Sequence, residues 1–137
     1  MILGFKTQFV EKILNGSKIH TIRVDKDKRW QKGKKINFAT GVRTKNYSEF
    51  KKGFCKWNQA VELRPDTREI YLGLNGKMNL LDKKHNEMFA KNDRFNTEDE
   101  FWEWFNEPFY GVVIHWTDFI YSQCLTTRCF TYKIKLL

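Results

Sequence analysis

Apolar positions along the chain fall into short blocks whose period changes from one block to the next. Leu3–Lys6 reads as a brief first strand. Thr7 can cap a helix over Gln8–Asn15, because Phe9, Val10, Ile13 and Leu14 share one face at helical spacing. Gly16 follows, where a left-handed helix end is cheapest for glycine. Ile19–Val24 and Lys35–Val42 read as strands around a charged loop, Asp25–Lys35, and polar Thr44–Gly53 reads as a loop or insertion. Gly53–Leu63 and Arg68–Leu74 form a predicted hairpin across the turn signal R-P-D-T, and Asn75-Gly76 marks another turn. A helix is predicted over Leu80–Lys91, with Leu81, Met88 and Phe89 inward. A second begins at Thr97, where Glu100 completes a capping box and Phe101, Trp104 and Phe105 form the inward stripe. Gly111–Tyr121 and the alternating Cys129–Leu136 are the closing strands.

This order of strand, helix, several strands, two helices and two strands lacks regular βα alternation. It predicts an α+β domain, a small mixed or antiparallel barrel flanked by helices, rather than a doubly wound sheet. The 137 residues fit one domain, and no repeat or linker divides them. Twelve Phe, five Trp and five Tyr imply a core made of few, large pieces.

Charge changes the picture. The formal net charge is +9, and eleven Lys/Arg against three Asp/Glu fall between Val24 and Trp57. Asp82–Glu107 runs the other way, with eight acidic and four basic residues. A localised basic zone is the footprint of a polyanion binder, or else a solvated face that confers solubility. No apolar run approaches the ~20 residues of a membrane span, and Lys6 interrupts any leader-like N-terminus, so a cytoplasmic protein without membrane contact is expected. Cys55, Cys124 and Cys129 match no usual zinc spacing, and neither a metal nor a cofactor is implied.

The run Gly16–Arg23, G-S-K-I-H-T-I-R, carries the densest candidate chemistry. Strand parity puts Thr21 and Arg23 on one face and His20 and Ile22 on the other. Lys18 can join Thr21 only if it belongs to the turn. Lysine, threonine and arginine together suit a phosphate, carboxylate or carbonyl oxygen; the competing reading is an exposed polar strand edge. Trp30 and Trp57 are the aromatics within the basic zone, able to stack on a base or to pack over a barrel end. His20 lies within the motif but on the face away from Thr21, while His85 reads as a packed or surface residue and His115 and Trp116 read as core.

The same run resembles the G-x-K-x-x-x-x-R signature of ASCH domains, PUA-like barrels related to RNA-binding modules. The resemblance continues in W-x-x-G-x-x-I (Trp30, Gly33, Ile36), in N-D-R-F-N-T-E-D-E-F from Asn92, and in V-I-H-W from Val113. It does not cover residues 45–79, which it makes a family-atypical insertion. It implies an RNA- or nucleotide-binding module whose cleft presents Gly16, Lys18, Thr21, Arg23 and Trp30. One branch of the family deacylates N(4)-acetylcytidine with a Lys, a Thr and a Glu. Carried over, these are Lys18, Thr21 and Asp93, which implies as the alternative a small amidohydrolase or RNA hydrolase. Lys18 would then take the Thr21 proton, Thr21 attack the carbonyl and Asp93 protonate the leaving amine, with Arg23 on the oxyanion. Asp93 is one methylene shorter than the family's Glu. Arg94 stands where glycine is common, so a left-handed turn there is expected to be strained.

Overall fold

The computed structural model describes residues 1–122 and is a mixed α+β fold of two sheets and three short helices among them. The strands are β1 (Ile2–Gly4), β2 (His20–Arg23), β3 (Lys35–Thr40), β4 (Ser48–Phe54), β5 (Trp57–Arg64), β6 (Glu69–Leu74), β7 (Lys77–Leu80) and β8 (Phe109–His115). The helices are α1 (Val10–Leu14), α2 (Asn86–Asp93) and α3 (Glu98–Trp104). One sheet runs β1-β3-β4, with β1 parallel to β3; the other runs β2-β8-β5-β6-β7 and is antiparallel throughout. The strand expected over Cys129–Leu136, and with it Cys124 and Cys129, lies outside the described residues.

Strand β8 explains how the layers join. Its Val113 packs with Ile22, Val61, Leu72, Phe89 and Phe101 beneath α2 and α3. Its Val112 and Ile114 face the other way, into Leu3, Phe5, Ile36, Phe38 and Trp116 between the two sheets. A strand buried on both faces must be apolar without alternation, and V-V-I is. The second layer is an aromatic lattice. Phe38 meets Trp116 edge-on at 5.0 Å and lies nearly parallel to Phe5 at 5.9 Å. Such pairs each add about 0.5–1.5 kcal/mol beyond their burial.

Turn chemistry fixes much of the register. Asn75 and Gly76 both have positive φ, 54° and 76°, which the tight turn joining β6 to β7 requires. Residues 45–79 furnish β4 to β7. Val61, Leu63, Ile70 and Leu72 of that segment are completely buried, so it is part of the core rather than an appendage.

Four expectations are corrected. Thr44–Gly53 is largely strand β4, pairing with β3 from Ser48 onward; its polar side chains belong to a sheet edge, and only Phe50 reaches the aromatic layer. The helix expected over Leu80–Lys91 begins at Asn86, after a 3₁₀ turn at Lys83–His85. Leu80 belongs to β7 opposite Tyr71, and the Asp82 carboxylate accepts from the Lys84 N–H to start the turn. In α3 the inward residues are Phe101 and Trp102, while Trp104 is 54% exposed. Trp102 is turned inward by its indole N–H, which donates to Glu98 Oε2 at 3.0 Å. The first helix is also shorter than Gln8–Asn15, being a 3₁₀ turn at Thr7–Phe9 followed by α1.

Candidate functional site

Strand β2 is an edge of the five-stranded sheet, and the motif residues sit where that edge meets β1 and the end of α2. Gly16, at φ +84°, ends α1 in the left-handed conformation and lets the chain reverse toward β2. In register with β8, His20 faces His115 and Thr21 faces Ile114. Thr21 and Arg23 therefore share one face of β2, and Lys18 precedes the strand, as the parity argument requires.

Lys18 is 1% exposed, yet its ammonium is fully used. It donates to the His20 carbonyl at 2.7 Å, the Asp93 carbonyl at 2.7 Å and Asp93 Oδ1 at 3.4 Å. Three donors and three acceptors leave it no free N–H. The fully buried Asp93 carboxylate also meets His20 Nδ1 at 3.3 Å and Arg94 Nη1 at 3.3 Å. His20 Nε2 lies 2.7 Å from the Tyr121 hydroxyl, which accepts from Asn92 Nδ2 at 3.0 Å. The chain of bonds closes when His20 carries its proton on Nδ1 and accepts from Tyr121.

Burial sets the proton affinities. It pushes the Lys18 amine down to about 8, although Asp93 pulls the other way. Burial alone would raise Asp93, but Lys18, His20 and Arg94 hold it below the ordinary carboxylate value. His20 is lowered by burial against the pull of Asp93, and His115 is lowered well below the usual value, by burial and then by His20. At neutral pH the site thus holds an ammonium–carboxylate pair and neutral imidazoles.

In front of this buried network opens a cleft of about 370 Å³. Thr21, Lys18, Arg23 and Arg94 line it, together with Lys6 and a wall of Phe5, Phe9, Phe105, Phe109 and Trp104. Among the described residues four cations and no carboxylate line it. Arg23 donates from Nε to Thr21 Oγ1 at 3.2 Å and from Nη2 to the Gly4 carbonyl at 2.6 Å, and it packs over Phe5. Arg94 has φ +130° and lies 4.4–4.6 Å from the ring centres of Phe9, Phe95 and Trp104.

Of the residues singled out in the sequence, Lys18, Thr21 and Arg23 come together in this cleft. Asp93 stands behind Lys18 and does not line it. Gly16 shapes the approach to β2 and is likewise outside the lining. Trp30 is 4% exposed and packed with Ile36 and Phe38, its backbone N–H donating to Asp25 Oδ2 at 2.9 Å, so no base can stack on it there. Trp57 carries the Lys32 ammonium over its ring at 4.2 Å. Lys26 and Lys28 border a separate groove with Val24, Asn58 and Tyr110. Arg94, Trp104 and Phe5 complete the lining; the sequence marks Arg94 only as a departure from glycine and assigns Trp104 to the core.

Comparison of the chain with protein-family models, curated proteins and solved structures returned no significant match.

Proposed function

We propose that the chain is an RNA- or nucleotide-binding module of the ASCH, PUA-like kind, with the cleft around Lys18, Thr21 and Arg23 as its site. The observation that carries this reading is the lining itself: four cationic side chains without a carboxylate, beside aromatic walls. Phosphate recognition calls for Arg and Lys, and base recognition calls for exposed ring faces. The volume of about 370 Å³ sits at the small end of the ~300–1,000 Å³ typical of ligand sites. The two sheets packed through Phe5, Phe38 and Trp116 support the barrel reading.

The alternative, an amidohydrolase or RNA hydrolase using Lys18, Thr21 and Asp93, draws support from the Lys18 amine at about 8, close to a useful general base. Two features favour binding over it. Lys18 has all three protons engaged, and Asp93 faces Lys18 and His20 rather than the cleft.

Labelled single- and double-stranded RNA, nucleotides and N(4)-acetylcytidine would be offered to the purified protein and to Lys18→Ala and Arg23→Gln variants. Binding that weakens with salt and with Arg23→Gln, without turnover, is the expected result. Turnover of N(4)-acetylcytidine or RNA lost in Lys18→Ala would establish the hydrolase instead. Absence of both would end the nucleic-acid reading.

A further inference from the structure

The cleft has room for one nucleotide unit, and its charge exceeds what an internal phosphodiester offers. Such a link carries a single negative charge, whereas a phosphomonoester carries about −1.5 to −2 at neutral pH. Behind the cleft, Asp93 offsets Lys18, and Lys18 has no donor left to give. The uncommitted donors belong to three other groups, Arg23, Arg94 and Thr21. Arg23 spends Nε and one bond of Nη2, and Arg94 spends Nη1 on Asp93 Oδ2. Thr21 Oγ1 accepts from Arg23, which leaves its hydroxyl proton to donate. Arg23, Arg94 and Thr21 therefore present a forked donor set to a compact, doubly charged group. Trp104, half-exposed at the same cleft with Arg94 and Lys6 over its ring, leaves the exposed part of its indole for the adjoining ring.

We propose that this cleft recognises a terminal phosphomonoester, with the phosphate between Arg23, Arg94 and Thr21 and the neighbouring base on Trp104. Its ligand is then a mononucleotide or the phosphorylated end of a strand, not an internal stretch of RNA. This rests on the nucleotide-binding reading above and narrows it. The groove bordered by Asp25, Lys26 and Lys28 is a separate surface.

Calorimetric titration of the full chain decides the matter. The probes are nucleoside 5′-monophosphates, the matching nucleosides, inorganic phosphate, and one short single-stranded RNA with its ends phosphorylated or left as hydroxyls. A monophosphate binding about tenfold or more tightly than its nucleoside is expected, with the same preference for the phosphorylated RNA over its hydroxyl-ended twin. Arg94→Gly and Arg23→Gln should each lose most of that preference. Glycine at 94 suits the positive φ, so a cooperative melt near the wild-type temperature checks that the loss is one of recognition. RNA bound equally with and without end phosphates overturns this inference and leaves the binding reading intact. Inorganic phosphate as tight as the nucleotide overturns the place of the base on Trp104. No binding of any nucleotide or RNA overturns both.

Discussion

The Lys18 ammonium donates to the Asp93 carbonyl at 2.7 Å and faces the same residue's carboxylate at 3.4 Å. Through one side chain the approach to β2 is fastened to the end of α2, although 75 residues separate the two positions. The third bond, to the His20 carbonyl, anchors the lysine to its own strand. A buried charge held this way is a structural strut, and its carboxylate partner offsets it behind the cleft.

Removing one member of that pair should cost more than removing both. Lys18→Met leaves the buried Asp93 carboxylate with only Arg94 and His20 against it and is expected to destabilise by about 3 kcal/mol, the low end for breaking a buried ion pair. Asp93→Asn should also destabilise, by leaving the ammonium uncompensated. The double variant should then fall well short of the sum in urea unfolding. Additivity within about 0.5 kcal/mol would mean that the two groups act independently.

Acid should weaken the fold earlier than the carboxylates alone would. His115 is buried, its Nε2 is bonded to Gln59 Oε1 at 3.0 Å, and its proton affinity lies well below the ordinary 6.5. The unfolded chain therefore takes up a proton that the folded chain refuses. Stability is greatest above about 6.5 and is lost as pH falls, by about 1.4 kcal/mol per unit from His115, with His20 acting in the same direction. Denaturant titrations between about pH 7.5 and 5.5 measure the slope, and His115→Gln should reduce it. A flat profile across that range would contradict the buried neutral imidazole.

Position 94 separates backbone strain from side-chain chemistry. Arg94 adopts φ +130°, held there by its pair with Asp93 and by three aromatic neighbours. Arg94→Ala loses those contacts and keeps the strain. Arg94→Gly loses the same contacts and relieves it. The glycine variant should be the more stable of the two by about 1 kcal/mol or more. Equal melting temperatures would place no strain at this residue.

How much of this was legible beforehand depends on the range of the interaction. Parity within β2, the glycine at 16 and the Asn75-Gly76 turn are local, and local rules placed them. The Lys18–Asp93 pairing is not local: no spacing argument brings residue 93 to residue 18, and only the motif resemblance suggested it. Asp93 stands behind the lysine rather than on the cleft lining. The tryptophans show the limit most clearly. Trp30 lies among lysines, where stacking on a base and packing over a barrel end both fit the sequence; Asp25 holds its backbone N–H and the ring fills the space between the sheets. Trp104 lies on an apolar helical stripe and reads as buried. The neighbouring Trp102 takes the inward place instead, and a helix of seven residues carries too little periodicity to tell the two apart.

That exchange of roles within α3 yields a paired test. Trp102 is 5% exposed, belongs to the core beneath the helices and meets Phe101 edge-on at 5.0 Å. Trp102→Ala should destabilise by about 3–5 kcal/mol, as large-to-small changes in a packed aromatic core do. Trp104, two residues on, leans on Arg94 at 4.6 Å and on the Lys6 ammonium at 5.4 Å, with its indole otherwise at the cleft. Its removal forfeits cation–π contacts worth about 0.5–1 kcal/mol each at exposed sites, so Trp104→Ala should shift stability by no more than about 1–2 kcal/mol. On the proposed nucleotide-binding reading its effect falls on binding: a lost base–aromatic stack should weaken nucleotide affinity by about 1–3 kcal/mol, roughly 5- to 150-fold. Thermal melts and nucleotide titrations on both variants measure this. A Trp104→Ala protein that melts like Trp102→Ala, or that binds nucleotide as tightly as wild type, would remove Trp104 from the site.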